Sequence, residues 1–340
     1  MILKKIAVFL SVVFFTVIIF LQPIAANFKA VLLISQEFPQ IPAKPLHSIT
    51  KSPTRLKIEL NSENGKIVAD LFVPNSGSKP KPALILAMGV KTQEKDKPIV
   101  LGFADTLSRL GYVVFWPRLE ILDQGTPLPE EPQKFIESFN YLEKHPAVDP
   151  ERISMIGFSV GSSIALVASA NPQIRSKVRS LVFYGGYYDI FDYLTSLATN
   201  SMVIKEKSIP WEPSEGATSH AKDILVAKNA TSLLRIFEDT QNVQTILKSA
   251  PQEELNQLQK LNPADQIKNF RTQTFILHDK SDTYVPYVES TKLNNNLKTS
   301  KTFLLVNLFE HVQPKKTFDP SMLPEFFKLY RFITKALDYF

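Results

Sequence analysis

The chain has 340 residues, 44% hydrophobic and 21% charged, a balance that excludes a disordered or fibrous protein and leaves one large domain or two small ones. It contains no cysteine, which rules out disulfide scaffolds, thiolate metal sites and cysteine nucleophiles together. A formal charge of +6, without a dense Lys/Arg cluster interleaved with aromatics, argues against nucleic acid as a partner and fits a solvated, lysine-rich surface.

Lys4 and Lys5 precede an apolar run from Ile6 to Leu21, interrupted only by Ser11 and Thr16. Continued through Ala26 the stretch is long enough to span a bilayer, while its core also suits a signal peptide. Residues 1–26 are therefore expected to be a membrane anchor, or a signal peptide cleaved after Ala26. Either way the lysines hold the amino terminus inside, so the body lies outside the cytoplasm, anchored or secreted. Residues 27–55 follow as a linker; Pro39, Pro42, Pro45 and Pro53 remove donors and favour an extended chain.

The body, 56–340, alternates strands and helices. Leu56–Leu60 and Lys66–Val73 flank Asn64-Gly65, a two-residue hairpin signal. Ala83–Met88 and Tyr112–Trp116 are continuous apolar runs, as in a parallel sheet covered on both faces. Helical spacing marks Pro98–Arg109 and Pro132–His145. Ile153–Ile156 reads as a strand, Val160–Ala170 as a small-residue helix, and Ser180–Tyr184 as a strand. Thr274–His278 and Thr302–Leu308 are the last strands, with Val288–Leu297 helical between them and Leu323–Phe340 closing the chain. Such alternation implies right-handed crossovers and a helix-flanked, mostly parallel sheet. Residues 187–269 break the rhythm, with helical stretches at Ala221–Glu238 and Val243–Leu261 and no strand pattern. They read as a helical cap over the carboxyl edge of the sheet, where ligands bind in open α/β folds.

Gly157-Phe158-Ser159-Val160-Gly161 lies between a strand and a helix. A turn this sharp forces its central residue into a strained conformation, and its neighbours two positions away must lack side chains. With 11 glycines in 340 residues, chance supplies roughly 0.35 pairs at this spacing, and requiring a serine between them lowers that roughly tenfold. The serine hydroxyl needs a base. Of five histidines, His47 falls in the linker, His145 at a helix end, His220 in the cap and His278 in a strand. His311 follows the final strand at the edge where the turn opens, and is the candidate base. The segment His278-Asp279-Lys280-Ser281-Asp282 offers two carboxylates to orient it. Asp282 is the choice, with Asp279 shaping the turn, and the 29 residues from Asp282 to His311 hold one helix and one strand.

These residues resemble the α/β-hydrolase superfamily, in particular its dienelactone-hydrolase-like and acyl-peptidase-like serine esterases. The resemblance covers about 56–340 and rests on GFSVG at 157–161, on Asp282 followed by Val285-Pro286, and on the late His311. The lead-in His145-Pro146-Ala147-Val148-Asp149-Pro150-Glu151-Arg152-Ile153 is also similar. Asp279 stands where the family commonly has glycine. The resemblance implies an α/β-hydrolase fold with a cap, and a Ser159–His311–Asp282 triad acting on a small-molecule acyl substrate without metal or organic cofactor. It also implies an oxyanion hole built from the Val160 amide and an amide after Ala83–Met88, Val90 or its neighbour Gly89. A carboxylic ester is the expected substrate. A peptidase or acyltransferase would use the same groups, and a hydrolase-like protein retained for binding at the cell surface is the alternative outside catalysis. Tyr184, Tyr187 and Tyr188 either line the acyl pocket or pack at the strand end. Arg118 and Glu120 either reach a substrate or form a surface ion pair, the stronger reading, and Asn229-Ala230-Thr231 is an acceptor sequon with meaning only in a eukaryotic secretory pathway.

Overall fold

The computed structural model describes residues 24–62, 65–89, 97–118, 131–317 and 319–340. The apolar run 6–21 lies outside them, and among the described residues no helix is long and apolar enough to cross a membrane.

The sheet is built from β1 (Thr54–Ser62), β2 (Gly65–Val73), β3 (Lys81–Ala87), β4 (Val113–Arg118), β5 (Val148–Phe158) and β6 (Ser180–Tyr184). A separate hairpin of β7 (Ser201–Ile204) and β8 (Lys207–Pro210) follows, and β9 (Gln273–Asp279) and β10 (Lys301–Val306) complete the sheet. The order is β1-β2-β4-β3-β5-β6-β9-β10. β1, β2 and β4 pair antiparallel, and every pair from β4 to β10 is parallel. The two strands pair as a hairpin, but Gly65 is the first residue of β2, opposite Ser62, rather than part of an Asn64-Gly65 turn; residues 63 and 64 lie outside the described set.

Ahead of the sheet come α1 (Ile24–Glu37) and α2 (Leu46–Ile49). The crossovers are α3 (Lys97–Arg109), α4 (Glu131–Glu143) and α5 (Val160–Ser169). After β6 come α6 (Ile190–Thr199), α7 (Glu215–Ala227), a 3₁₀ turn Thr231–Phe237, α8 (Val243–Ser249), α9 (Gln252–Gln259) and α10 (Pro263–Gln266). α11 (Val288–Asn296) joins β9 to β10, and α12 (Leu323–Tyr339) closes the chain.

Side chains alternate across the sheet, so each strand feeds two cores. Ile85 and Met155 pack with α4, α5 and the 187–269 insertion, whereas Leu84, Ile156 and Leu277 pack with α1, α3 and α12. A continuous apolar strand such as β3 is what a doubly covered sheet requires.

The segment 27–55 does not stand off as an extended linker. α1 runs to Glu37, and the one-face positions Ala26, Ala30 and Leu33 are buried, as are Phe38 and Leu46 beyond it. The prolines bound helices instead of extending the chain: Pro39 follows the end of α1 and Pro45 heads α2. Their spacing carries no information about the apolar stripe that docks α1 on α12. Lys44 Nζ then caps α1, donating to the carbonyls of Ser35, Gln36 and Phe38 at 2.6, 3.0 and 2.8 Å.

The insertion is helical except for the β7–β8 hairpin. Its turn, Lys205-Glu206, adopts φ of 49° and 65° without the usual Asn-Gly signature, so the sequence pattern did not mark it. The expected helix 221–238 is broken at Asn229, which takes φ 52°, and 243–261 is broken at Pro251.

Arg118 is paired, but with Asp70 rather than a surface partner; Glu120 lies outside the described residues. Asp70 is fully buried on β2 and accepts from Arg55 Nε at 2.8 Å and Arg118 Nε at 2.6 Å. Asp70→Ala strands two guanidinium groups, 39% and 22% exposed, at the antiparallel end of the sheet. It is expected to lower stability by about 2–3 kcal/mol, read by urea unfolding.

Candidate active site

β5 runs into α5 through Ser159, which sits at φ 54°, ψ −137°, a region almost confined to glycine. Both neighbouring glycines are sterically required. A Cβ on Gly157 would meet Ser162 Cα at 2.4 Å, and one on Gly161 would meet the carbonyl oxygens of Ala87 and Met88 at 2.3 Å. The elbow is also stitched to the end of β6. Ser159 N donates to Tyr184 O at 2.8 Å, Ser162 Oγ donates to the same oxygen at 2.9 Å, and Ser163 Oγ donates to Tyr187 O at 2.7 Å.

Asp279 and Asp282 leave β9 with separate duties. Asp279 Oδ2 accepts from the amides of Leu308 and Phe309 at 2.6 and 2.8 Å, and its Oδ1 accepts from Ser281 N at 2.8 Å. It pins the chain after β10 to the chain after β9. Asp282 Oδ1 accepts from the amides of Tyr284 and Val285 at 2.7 and 3.0 Å, which leaves Oδ2 aimed at His311 Nδ1, 2.7 Å away. With Nδ1–H donating to that carboxylate, the lone pair of His311 lies on Nε2, free to take a proton.

His311 occupies a two-residue loop between β11 (Phe309–Glu310) and β12 (Gln313–Pro314), with φ 57°. Its carbonyl accepts from Tyr184 Oη at 3.2 Å, and burial pushes that phenol well above its ordinary pKa, keeping it a neutral donor. Tyr284 stacks on the imidazole, ring centroids 4.8 Å apart. A Cβ on Gly185 would lie 3.6 Å from both Asp282 Oδ2 and His311 Cε1, so the turn after β6 closes directly on the pair.

A second imidazole meets Asp282. His278 is fully buried, with Nε2 3.3 Å from Asp282 Oδ2 and 3.0 Å from Val285 O, and Nδ1 2.6 Å from Ser290 Oγ. Two acceptors at Nε2 require the proton there, so Ser290 donates to Nδ1. The sequence marked His278 only as a strand residue; its four-residue spacing to Asp282 was the available signal. Burial alone would raise the Asp282 carboxyl, but the His311 and His278 imidazoles override it and hold the group well below the usual carboxylate range.

Ser159, His311 and Val160 line one cavity of about 740 Å³, together with Gly89 and Tyr184. Ser159 Oγ and His311 are not hydrogen-bonded to each other among the described residues; they share the cavity wall. Gly89 lies against the nucleophile candidate, since a Cβ there would be 2.8 Å from Ser159 Cβ. Val90 lies outside the described residues. Tyr187 and Tyr188 are core, Tyr187 stacking on Tyr193 at 5.6 Å, while Tyr184 alone of the three reaches the cavity. His220 of α7 also lines the cavity; His145 does not, and its Nδ1 accepts from Ala147 N at 3.2 Å.

The BD-FAE family model matches residues 69–297, about two thirds of the chain. The chain belongs to that family. The match includes Ser159 and Asp282 and ends before His311. The hydrolyase poxO of Penicillium oxalicum is 25% identical over 179 residues, 48% of this chain and 40% of its own. The chain thus spans about two fifths of that relative's length. Among solved structures, the acetyl xylan esterase from Paenibacillus sp. R4 aligns with a TM-score of 0.56 at 13% identity, over 83% of this chain and 84% of that one. The Pyrococcus horikoshii acylaminoacyl peptidase aligns with a TM-score of 0.53 at 12% identity, over 80% of this chain and 40% of that one. The fold is the α/β-hydrolase fold.

Two measurements check this geometry. Gly161→Ala drives a methyl into two carbonyl oxygens and is expected to destabilise the protein by about 3 kcal/mol or more, seen in chemical unfolding. Asp282, with its folded pKa depressed, contributes stability that is fully present above its unfolded pKa of about 3.9 and fades as pH falls below that. The stability difference between wild type and Asp282→Asn is therefore expected to shrink steadily as pH falls from about 4 toward 2, read by urea unfolding at each pH.

Proposed function

We propose that this chain is a serine hydrolase of carboxylic esters. The reading is carried by the Asp282–His311 pair at 2.7 Å, whose imidazole lines the same cavity as Ser159 on a strained β-turn-α elbow. In this reading Ser159 Oγ attacks the ester carbonyl and forms the acyl–oxygen bond, while His311 Nε2 takes the hydroxyl proton. The tetrahedral oxyanion is held by the Val160 amide, first in α5 and so without an intrahelical acceptor, and by a second amide from the loop after β3, Val90 or Gly89. The C–O bond to the alcohol breaks and His311 returns the proton to it. Water then attacks the acyl-enzyme, His311 accepts its proton, and the carboxylic acid leaves as Ser159 is reprotonated. Asp282 stays ionised throughout and stabilises the imidazolium.

The same reading puts the body on the extracytoplasmic side of a membrane, tethered or exported by residues 1–26. Lys4 and Lys5 ahead of the apolar run 6–21 support it.

In the full-length chain, Ser159→Ala is expected to lower kcat on short acyl esters by about 10⁵-fold or more, with His311→Ala close behind. A fluorophosphonate probe is expected to label wild type at Ser159 and to leave Ser159→Ala unlabelled. Unchanged turnover, or labelling elsewhere, overturns the assignment.

A further inference from the structure

The cavity that holds Ser159 does not stop at the catalytic edge. It continues along one face of the sheet, over Ile156, Val182 and Leu277. Ile156 lies beside Val182 across β5 and β6, and Leu277 stands one row nearer the elbow, so the three make an apolar floor. One wall is α3, through Phe103, and the other is α12, through Phe332. The roof is α1, through Leu33 and Ile34. The polar groups collect at the other end, with Ser159, Thr283, Tyr284 and His311. The exception is Glu37 at the roof, whose carboxyl is pushed up by burial against the opposing effects of Thr106 and Lys44, which favours its neutral form.

We propose that this passage binds the acyl chain of the substrate, and that the substrate class is a long-chain aliphatic ester. The proposal rests on the ester-hydrolase reading and specifies its acyl half. An acetyl group would leave most of 740 Å³ unfilled. At about 30 Å³ per methylene, comparable to one liquid water, a chain of roughly 12 to 18 carbons fits with room for the alcohol at the mouth. A flexible chain matches a passage walled by helix side chains, whose hydrogen-bonding groups, Glu37 apart, gather where the ester must lie. The roof also indicates the source. Ile24, Phe28 and Val31 form one stripe on the outer side of α1, 65%, 57% and 54% exposed, and only Gln22-Pro23 separates α1 in sequence from the apolar run 6–21. That arrangement suits an ester held in a lipid bilayer.

The test uses the full-length chain and a series of p-nitrophenyl esters from acetyl to palmitoyl. Each methylene buried is expected to raise kcat/KM by about three- to fourfold, until the passage is filled near lauroyl or beyond. Two plugs, Ala336→Phe from the wall and Ile34→Trp from the roof, are expected to lower the myristoyl-to-acetyl ratio by at least tenfold, with acetyl turnover reporting that the centre is folded. A kcat/KM that is flat or falls beyond butyryl, or a ratio untouched by both plugs, overturns the proposal. Binding of a fluorescent 16-carbon fatty acid separates this from failure of the hydrolase reading. If no ester turns over yet that probe binds wild type and is weakened at least tenfold by either plug, the chain site stands and the catalysis does not. If the probe fails to bind, the chain site falls. Faster palmitoyl turnover from phosphatidylcholine vesicles than from monomeric ester upholds the bilayer source, and slower turnover overturns that part.

Discussion

Ser159 is held where an L-residue resists going, and the surrounding packing can be read as the set of contacts that keeps it there. Backbone at φ 54°, ψ −137° is destabilised by about 1–3 kcal/mol unless neighbours leave no alternative. Here β3 presses its terminal carbonyls on Gly161 and α5 presses Ser162 on Gly157, while Ser162 and Ser163 tie the turn to the segment after β6. Releasing the strain would mean separating three central strands. The result is a hydroxyl standing above the sheet at the amino end of α5, where the helix favours developing negative charge.

The acid side is organised by division of labour between two buried carboxylates three residues apart. Asp279 gathers backbone amides and so determines where β11 begins. Asp282 uses one oxygen to shape its own turn and offers the other to imidazoles. The insertion after β6 makes direct contact with the acid turn. Trp211 Nε1 donates to Asp282 O at 2.8 Å, Ser214 N donates to Thr283 O at 2.8 Å, and Tyr193 Oη donates to Tyr284 O at 3.0 Å. A hairpin and two helices of the insertion thus grip the acid turn, which in turn carries the tyrosine stacked on His311. Loss of the insertion's packing would loosen the base indirectly, through Tyr284 and Asp282.

The two faces of the sheet are covered by different means. One is closed by crossovers close in sequence, α4, α5 and α11. The other joins α3 to both ends of the described chain, with α12 and α1 packed together. That second layer is where the cavity runs, because a roof brought from the amino terminus spans the gap between α3 and α12 rather than filling it. The polar link of Arg152 Nε to Phe340 O, 2.8 Å, holds the far end of α12 against β5.

The alternation of apolar runs with helical spacing reveals an α/β sheet without coordinates, because burial on both faces leaves no polar position in a strand such as Ala83–Ala87. The elbow is legible for the same local reason: sterics within five residues demand glycine on either side of Ser159. Asp282 and His311 are marked by their places after β9 and β10, where strand ends meet at one rim. The sequence does not reveal what reaches them from far along the chain. In sequence His278 is only a strand residue, Trp211 carries no mark connecting it to the acid turn, and the prolines of 36–54 obscure the stripe that docks α1. Short-range sterics and periodicity act between neighbours and are written in the order of residues. The second imidazole, the grip of the insertion and the roofed cavity depend on packing between segments tens to hundreds of residues apart, and such contacts exist only once the sheet has brought those segments together.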